Sequence, residues 1–91
     1  MIEHLKIKIF GRVQGVFFRY EALKKAKELN IKGFVKNEND GSLYLEAEGE
    51  KENLKKFLKW CRRGPILARV EKIQFEFNKE IKNFSEFKIL K

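Results

Sequence analysis

Residues 11–19 read Gly-Arg-Val-Gln-Gly-Val-Phe-Phe-Arg, and Asn37 follows eighteen positions after Arg19. Glycines at 11 and 15 permit a tight loop. A loop that opens into a helix turns consecutive backbone N–H groups toward one point. An arginine in the first helical turn adds a planar cationic fork that matches a phosphate. The N–H groups of Gln14, Gly15, Val16, Phe17 and Phe18, together with the Arg19 side chain, are therefore candidates for an oxyanion cradle. Asn37 both donates and accepts hydrogen bonds, so it can hold a water beside the anion. Such a set needs no acid, base or metal when the substrate is already reactive and carries a good leaving group.

Elements on either side must bring these residues together. Leu5, Ile7 and Ile9 alternate with His4, Lys6 and Lys8, the period-two pattern of a half-buried strand. After the glycine loop the apolar residues move to helical spacing, Phe18, Ala22, Ala26 and Leu29, with Asn30 suited to a left-handed cap. A second strand is predicted over Ile31–Asn37, an Asp40-Gly41 turn, and a third strand over Ser42–Glu48 that Gly49 interrupts. A second helix covers Lys51–Arg63, where Gly64-Pro65 stops it. A fourth strand runs over Ala68–Phe77 and a short fifth one near Phe87–Leu90. The order β-α-β-β-α-β plus a last strand predicts an α+β, ferredoxin-like sandwich in one domain, residues 1–91. Two helices would cover one face of a four- or five-stranded antiparallel sheet. The other face, with His4, Lys6, Lys8, Tyr44, Glu46 and Glu48, is expected to be wet. In the first β-α-β unit both strands end at one sheet edge, which brings Asn37 toward the glycine loop.

Composition narrows the function classes. Twenty-one basic against thirteen acidic residues give a formal charge of +8, which attracts phosphates, but no long run of like charge occurs. No stretch is long and apolar enough for a membrane helix, and the alternating start does not read as a signal peptide. The single cysteine, Cys61, falls on the apolar stripe of the second helix, as expected of a buried thiol in a reducing, cytoplasmic protein. His4, the one histidine, is expected at the surface, away from the loop. One Cys and one His leave a zinc site without its ligands, so no metal and no cofactor is expected. A rival reading is an RNA-binding module, because the same fold presents aromatics on its open face and Lys32-Gly33-Phe34-Val35 faintly echoes an RNP1 segment. That segment lies on the second strand instead of the third, and the third offers Glu46 and Glu48, which repel phosphates. A non-catalytic regulatory domain is a further alternative. Neither rival accounts for Arg19 and Asn37 occurring together with the loop.

Gly11-Arg12-Val13-Gln14-Gly15-Val16-Phe17-Phe18-Arg19 and Gly33-Phe34-Val35-Lys36-Asn37, followed by Asp40-Gly41, resemble the two signature segments of the acylphosphatases. Trp60, Gly64-Pro65, Ala68 and Val70 fit the family's later pattern, so the resemblance spans essentially the whole chain. Phe34, Lys36 and Asn30 depart from residues frequent in the family, at packing, surface and capping positions. The resemblance implies hydrolysis of the carboxyl–phosphate bond of acyl phosphates to a carboxylate and inorganic phosphate, with no metal and no phosphoenzyme. It implies phosphate held by Arg19 and the amides of residues 14–18, and water oriented by Asn37. The expected partners are then a small acyl phosphate and inorganic phosphate as product and competitor. Neither membrane nor nucleic acid is expected as a partner, and a monomer is expected.

Overall fold

The computed structural model describes residues 1–90. The chain runs β1 (Ile2–Arg12), α1 (Phe18–Glu28), β2 (Lys32–Asn37), β3 (Leu43–Glu50), α2 (Lys51–Arg63), β4 (Arg69–Asn78) and β5 (Phe87–Leu90). The five strands form one sheet in the order β4-β1-β3-β2-β5. Four of them pair antiparallel, as expected. The fifth corrects the all-antiparallel expectation: β5 pairs with β2 in parallel, so the sheet is mixed. The architecture is ferredoxin-like, with both helices on one face of the sheet.

That face is the core. Leu5, Ile7 and Ile9 stand in register with Ala47, Leu45 and Leu43, and all six are buried. Helix α1 adds Phe18, Ala22 and Ala26, and α2 adds Leu54, Phe57, Leu58 and Cys61. Burial pushes the Cys61 thiol well above its ordinary pKa, which leaves it inert. Helix α1 ends as its sequence suggests. Asn30 is left-handed (φ 55°), the Ile31 N–H reaches the Ala26 carbonyl at 2.8 Å, and the Asn30 N–H reaches Lys27. Helix α2 carries Glu52 in its first turn and Arg62 and Arg63 in its last, both favourable to its dipole.

Two further expectations fail, each for a physical reason. Gly49 does not interrupt β3. It is a buried strand residue against Ile31, and β3 continues to Glu50. The far face is also not simply wet. Strands β4 and β5 lie at opposite edges, about 19 Å apart at the usual strand spacing. The chain between them must therefore cross the sheet, and residues 79–86 do so over the far face. Beneath this strap His4, Glu46 and Glu48 are buried, so His4 is not a surface histidine. Phe84 stacks on His4 at 6.0 Å and meets Phe34 edge-on at 5.8 Å.

Candidate functional site

A β-bulge between Phe10 and Gly11 re-aims β1 just before the loop. Gly11 (φ 128°) is needed there, because a Cβ would collide with the backbone at Arg69 and Glu71. Val13 and Val16 then anchor the loop by pointing into the core, and Phe18 does the same at the helix start. Between these anchors Gly15 (φ 74°) and Phe17 (φ 66°) are both left-handed. This conformation costs a non-glycine residue about 1–2 kcal/mol, so the surrounding packing holds Phe17 in a strained state. Left-handed residues flanking ordinary ones curl successive N–H groups into a concavity.

Among the described residues, none of the N–H groups of Gln14, Gly15, Val16, Phe17 and Phe18 donates a hydrogen bond to the protein; the first such bond at the helix start runs from the Glu21 N–H to the Phe17 carbonyl at 3.0 Å. No side chain caps α1. Helix starts commonly have a side-chain oxygen on these donors, and here the donors are left open. The Arg19 side chain is half-buried and makes no ion pair among the described residues. It lines a cleft of about 330 Å³ together with Gly15, Phe17, Phe18, Tyr20 and Ile89. Gln14 and Val16 do not line it: Val16 is turned inward, and Gln14 points toward the turn after β2. Arg12 is exposed.

Asn37 ends β2 opposite Leu43. It lines a separate, polar concavity with Lys8, Lys36, Glu38, Asn39 and Asp40, not the cleft of Arg19. Gln14 links the two. Its Nε2 donates to the carbonyls of Glu38 at 2.8 Å and Ser42 at 2.9 Å, tying the loop to the turn that follows Asn37. That turn is itself locked. The hydroxyl and N–H of Ser42 both donate to Asp40 and hold its carboxyl down to about 2, with Lys8 3.4 Å away. The Oδ1 of Asn37 is buried and accepts no hydrogen bond among the described residues. A buried acceptor without a donor is rare and destabilising by about 1–3 kcal/mol unless something else satisfies it. The loop with its open N–H donors and the carboxyl end of β2 with Asn37 thus lie at the same end of the sheet, joined by Gln14, with Arg19 and Asn37 lining two different concavities.

No group of three or more His, Cys, Asp or Glu side chains is arranged to hold a metal ion among the described residues. No helix among the described residues is long and apolar enough to cross a membrane. Sequence reasoning missed Tyr20 and Ile89 as walls of the cleft. Ile89 reaches it because β5 pairs with β2, Val35 beside Ile89, and no residue pattern announced that parallel pairing.

Known proteins resemble this chain over most of its length. The family model "Acylphosphatase" matches residues 5–89. An acylphosphatase of Methylococcus capsulatus is 41% identical over 90 residues, covering 99% of this chain and 98% of the relative. One from Archaeoglobus fulgidus is 45% identical over 85 residues, covering 93% and 94%. The crystal structure of an acylphosphatase from Bacillus subtilis superposes with a TM-score of 0.95 at 31% identity, over 100% of both chains.

Proposed function

This chain belongs to the acylphosphatase family, hydrolases that act on acyl phosphates, and from that premise we propose how its own residues perform the reaction. The phosphoryl group of the substrate rests in the cradle of residues 14–18, where the N–H groups of Gln14, Gly15, Val16, Phe17 and Phe18 donate to its oxygens. Arg19 forks onto two of them. Asn37 accepts a hydrogen bond from the attacking water through Oδ1 and sets it in line with the bond to be broken. Water oxygen bonds to phosphorus as the phosphorus–oxygen bond to the acyl group breaks. The carboxylate leaves with the electron pair, and the water's protons pass to phosphate and solvent.

The carboxylate is a stable leaving group, so no general acid is required. Catalysis is positioning plus stabilisation of charge on the equatorial oxygens. The single histidine lies under the strap on the far face and the single cysteine in the core, so neither acts as base or nucleophile. The observation that carries the reading is the pairing of unclaimed groups: open N–H donors on the loop and a buried, unpartnered Asn37 Oδ1. In this reading residues 1–91 form one catalytic domain, working as a cytoplasmic monomer without a resident cofactor. Its partners are a small acyl phosphate and inorganic phosphate, the latter as product and competitor, and not nucleic acid. The test is hydrolysis of benzoyl phosphate with EDTA present. Turnover unaffected by the chelator and inhibited competitively by inorganic phosphate supports it. A folded sample without turnover, or one that needs added metal, refutes it.

A further inference from the structure

The acyl half of the substrate has a place of its own, an inference that rests on the reading just given. A groove of about 800 Å³ lies between the start of α1, the end of α2 and the loop at residues 64–68. Its walls are mainly apolar: Phe17, Tyr20, Trp60, Ile66 and Leu67. Four of these are large apolar side chains left in solvent, Ile66 at 99%, Phe17 at 69%, Leu67 at 60% and Tyr20 at 55% exposure. Core packing explains none of the four. Contiguous apolar surface in a concavity is the mark of a ligand or partner site.

Continuity with the cleft of Arg19 decides which. Phe17 and Tyr20 line both concavities, so one wall is shared. A leaving group on a phosphoryl group held by the loop would need to pass only Phe17 and Tyr20 to enter the groove. The groove is also rigidly placed against the cradle. Gly64 lies so close to Phe18 that a Cβ would sit 2.8 Å from its ring, and Trp60 meets Phe18 edge-on at 5.4 Å. We propose that this groove is the acyl subsite, and that it selects acyl phosphates with a bulky apolar acyl group, aromatic or branched, over acetyl phosphate. Ile66 and Leu67 form the outer wall and set the preference. Arg63 also lines the groove.

The test compares kcat/KM for benzoyl and acetyl phosphate in the wild type and in a variant carrying Ile66→Ser and Leu67→Ser. The two substrates differ in intrinsic reactivity, but that difference cancels when the benzoyl-to-acetyl ratio of the variant is divided by that of the wild type. Both residues are exposed in a turn, so the variant retains the fold. The ratio is expected to fall roughly tenfold, equivalent to about 1.4 kcal/mol, through a raised KM for benzoyl phosphate, and Ile66→Leu should keep it. An unchanged ratio with turnover of both substrates overturns the acyl subsite and leaves the phosphate site standing. The same unchanged ratio with loss of a wild-type dimer in sedimentation reassigns the groove to contact between copies. Absence of turnover of either substrate by the folded wild type overturns the phosphate-site reading and this inference together.

Discussion

On the far face of the sheet, His4 has Glu48 2.7 Å from Nδ1 and Glu46 2.9 Å from Nε2, whereas at the loop five consecutive N–H groups meet no acceptor among the described residues. Both regions hold polar groups partly or wholly out of bulk water, and they treat them in opposite ways. Under the strap every carboxylate oxygen of Glu46 and Glu48 has a donor. Glu48 accepts from the N–H of Lys82 at 2.5 Å and of Phe84 at 3.4 Å; Glu46 accepts from Tyr44 at 2.6 Å and from Lys82 Nζ at 3.0 Å. Only the His4 Nε2 contact with Glu46 is a close approach out of line for a hydrogen bond. At the loop the donors are held open by left-handed residues and a capless helix start. Satisfied polar groups fasten the chain to itself, and unsatisfied ones are available to a ligand.

The largest effect that follows is on activity. Arg19→Ala should remove inhibition by inorganic phosphate and lower kcat/KM by at least about 100-fold, on the order of 3 kcal/mol. Because Arg19 makes no ion pair among the described residues, the midpoint of urea unfolding should hardly move. Asn37→Ala should separate the two functions, with phosphate inhibition nearly intact and turnover lost. If it removed phosphate binding while sparing kcat, Asn37 would belong to the cradle and the water would be held by something else.

The far face should give the mirror image. Glu48→Gln leaves an amide facing the Lys82 N–H and takes the charge from beside His4, so a loss of about 3 kcal/mol in stability is expected, with kcat/KM retained. Unfolding in urea measures it. Acid should probe the same cluster. Burial raises the carboxyls of Glu46 and Glu48, but Tyr44, Lys82 and His4 around the first, and the Lys82 amide, His4 and Phe84 around the second, more than offset it, so both titrate below 4.5 in the folded chain. The folded state then binds fewer protons than the unfolded one at moderate acidity. The stabilisation is complete above pH 4.5 and drains away as pH falls through the lower folded values. The pH slope of stability in this range should be smaller in Glu48→Gln than in the wild type. Equal slopes would mean that the acid sensitivity comes from elsewhere on the surface.

The two regions also differ in how far the sequence disclosed them. The loop was legible because its signal is local: two glycines, a strand pattern ending, a helix pattern starting, and Arg19 at the junction. One topological rule about β-α-β units put Asn37 at the same end of the sheet as the loop, though it lines a separate concavity from Arg19. The far-face cluster has no local signal. His4, Glu46 and Glu48 sit at alternating polar positions that look like any solvated strand face, and only the crossing of residues 79–86 buries them. That crossing depends on β5 joining the far edge of the sheet in parallel, a long-range choice made by Phe87 packing on Phe57 and by pairing with β2. Gly49 misled for the same reason. Its role is set by Ile31, eighteen residues earlier in the chain, and not by its neighbours.

Gln14 is where the two treatments of polar groups meet, and its substitution is the finest test of the contrast. Its backbone N–H is one of the open donors of the loop, while its side-chain Nε2 is fully employed on the carbonyls of Glu38 and Ser42. Gln14→Ala removes two neutral hydrogen bonds whose acceptors water can partly satisfy, so stability should fall by only about 1 kcal/mol. The loop, however, loses its tie to the turn after Asn37, while the strain at Phe17 continues to favour relaxation of the backbone. Misplacing the cradle relative to Asn37 should lower kcat more than phosphate affinity, by roughly tenfold, because alignment of water and phosphorus is more demanding than binding alone. Gln14→Glu should be worse than Gln14→Ala, since a carboxylate would face two carbonyl oxygens. If Gln14→Ala instead lost stability with kcat unchanged, the side chain would be a fastening like those around His4, and the alignment of loop and Asn37 would rest on the anchors Val13 and Val16 alone.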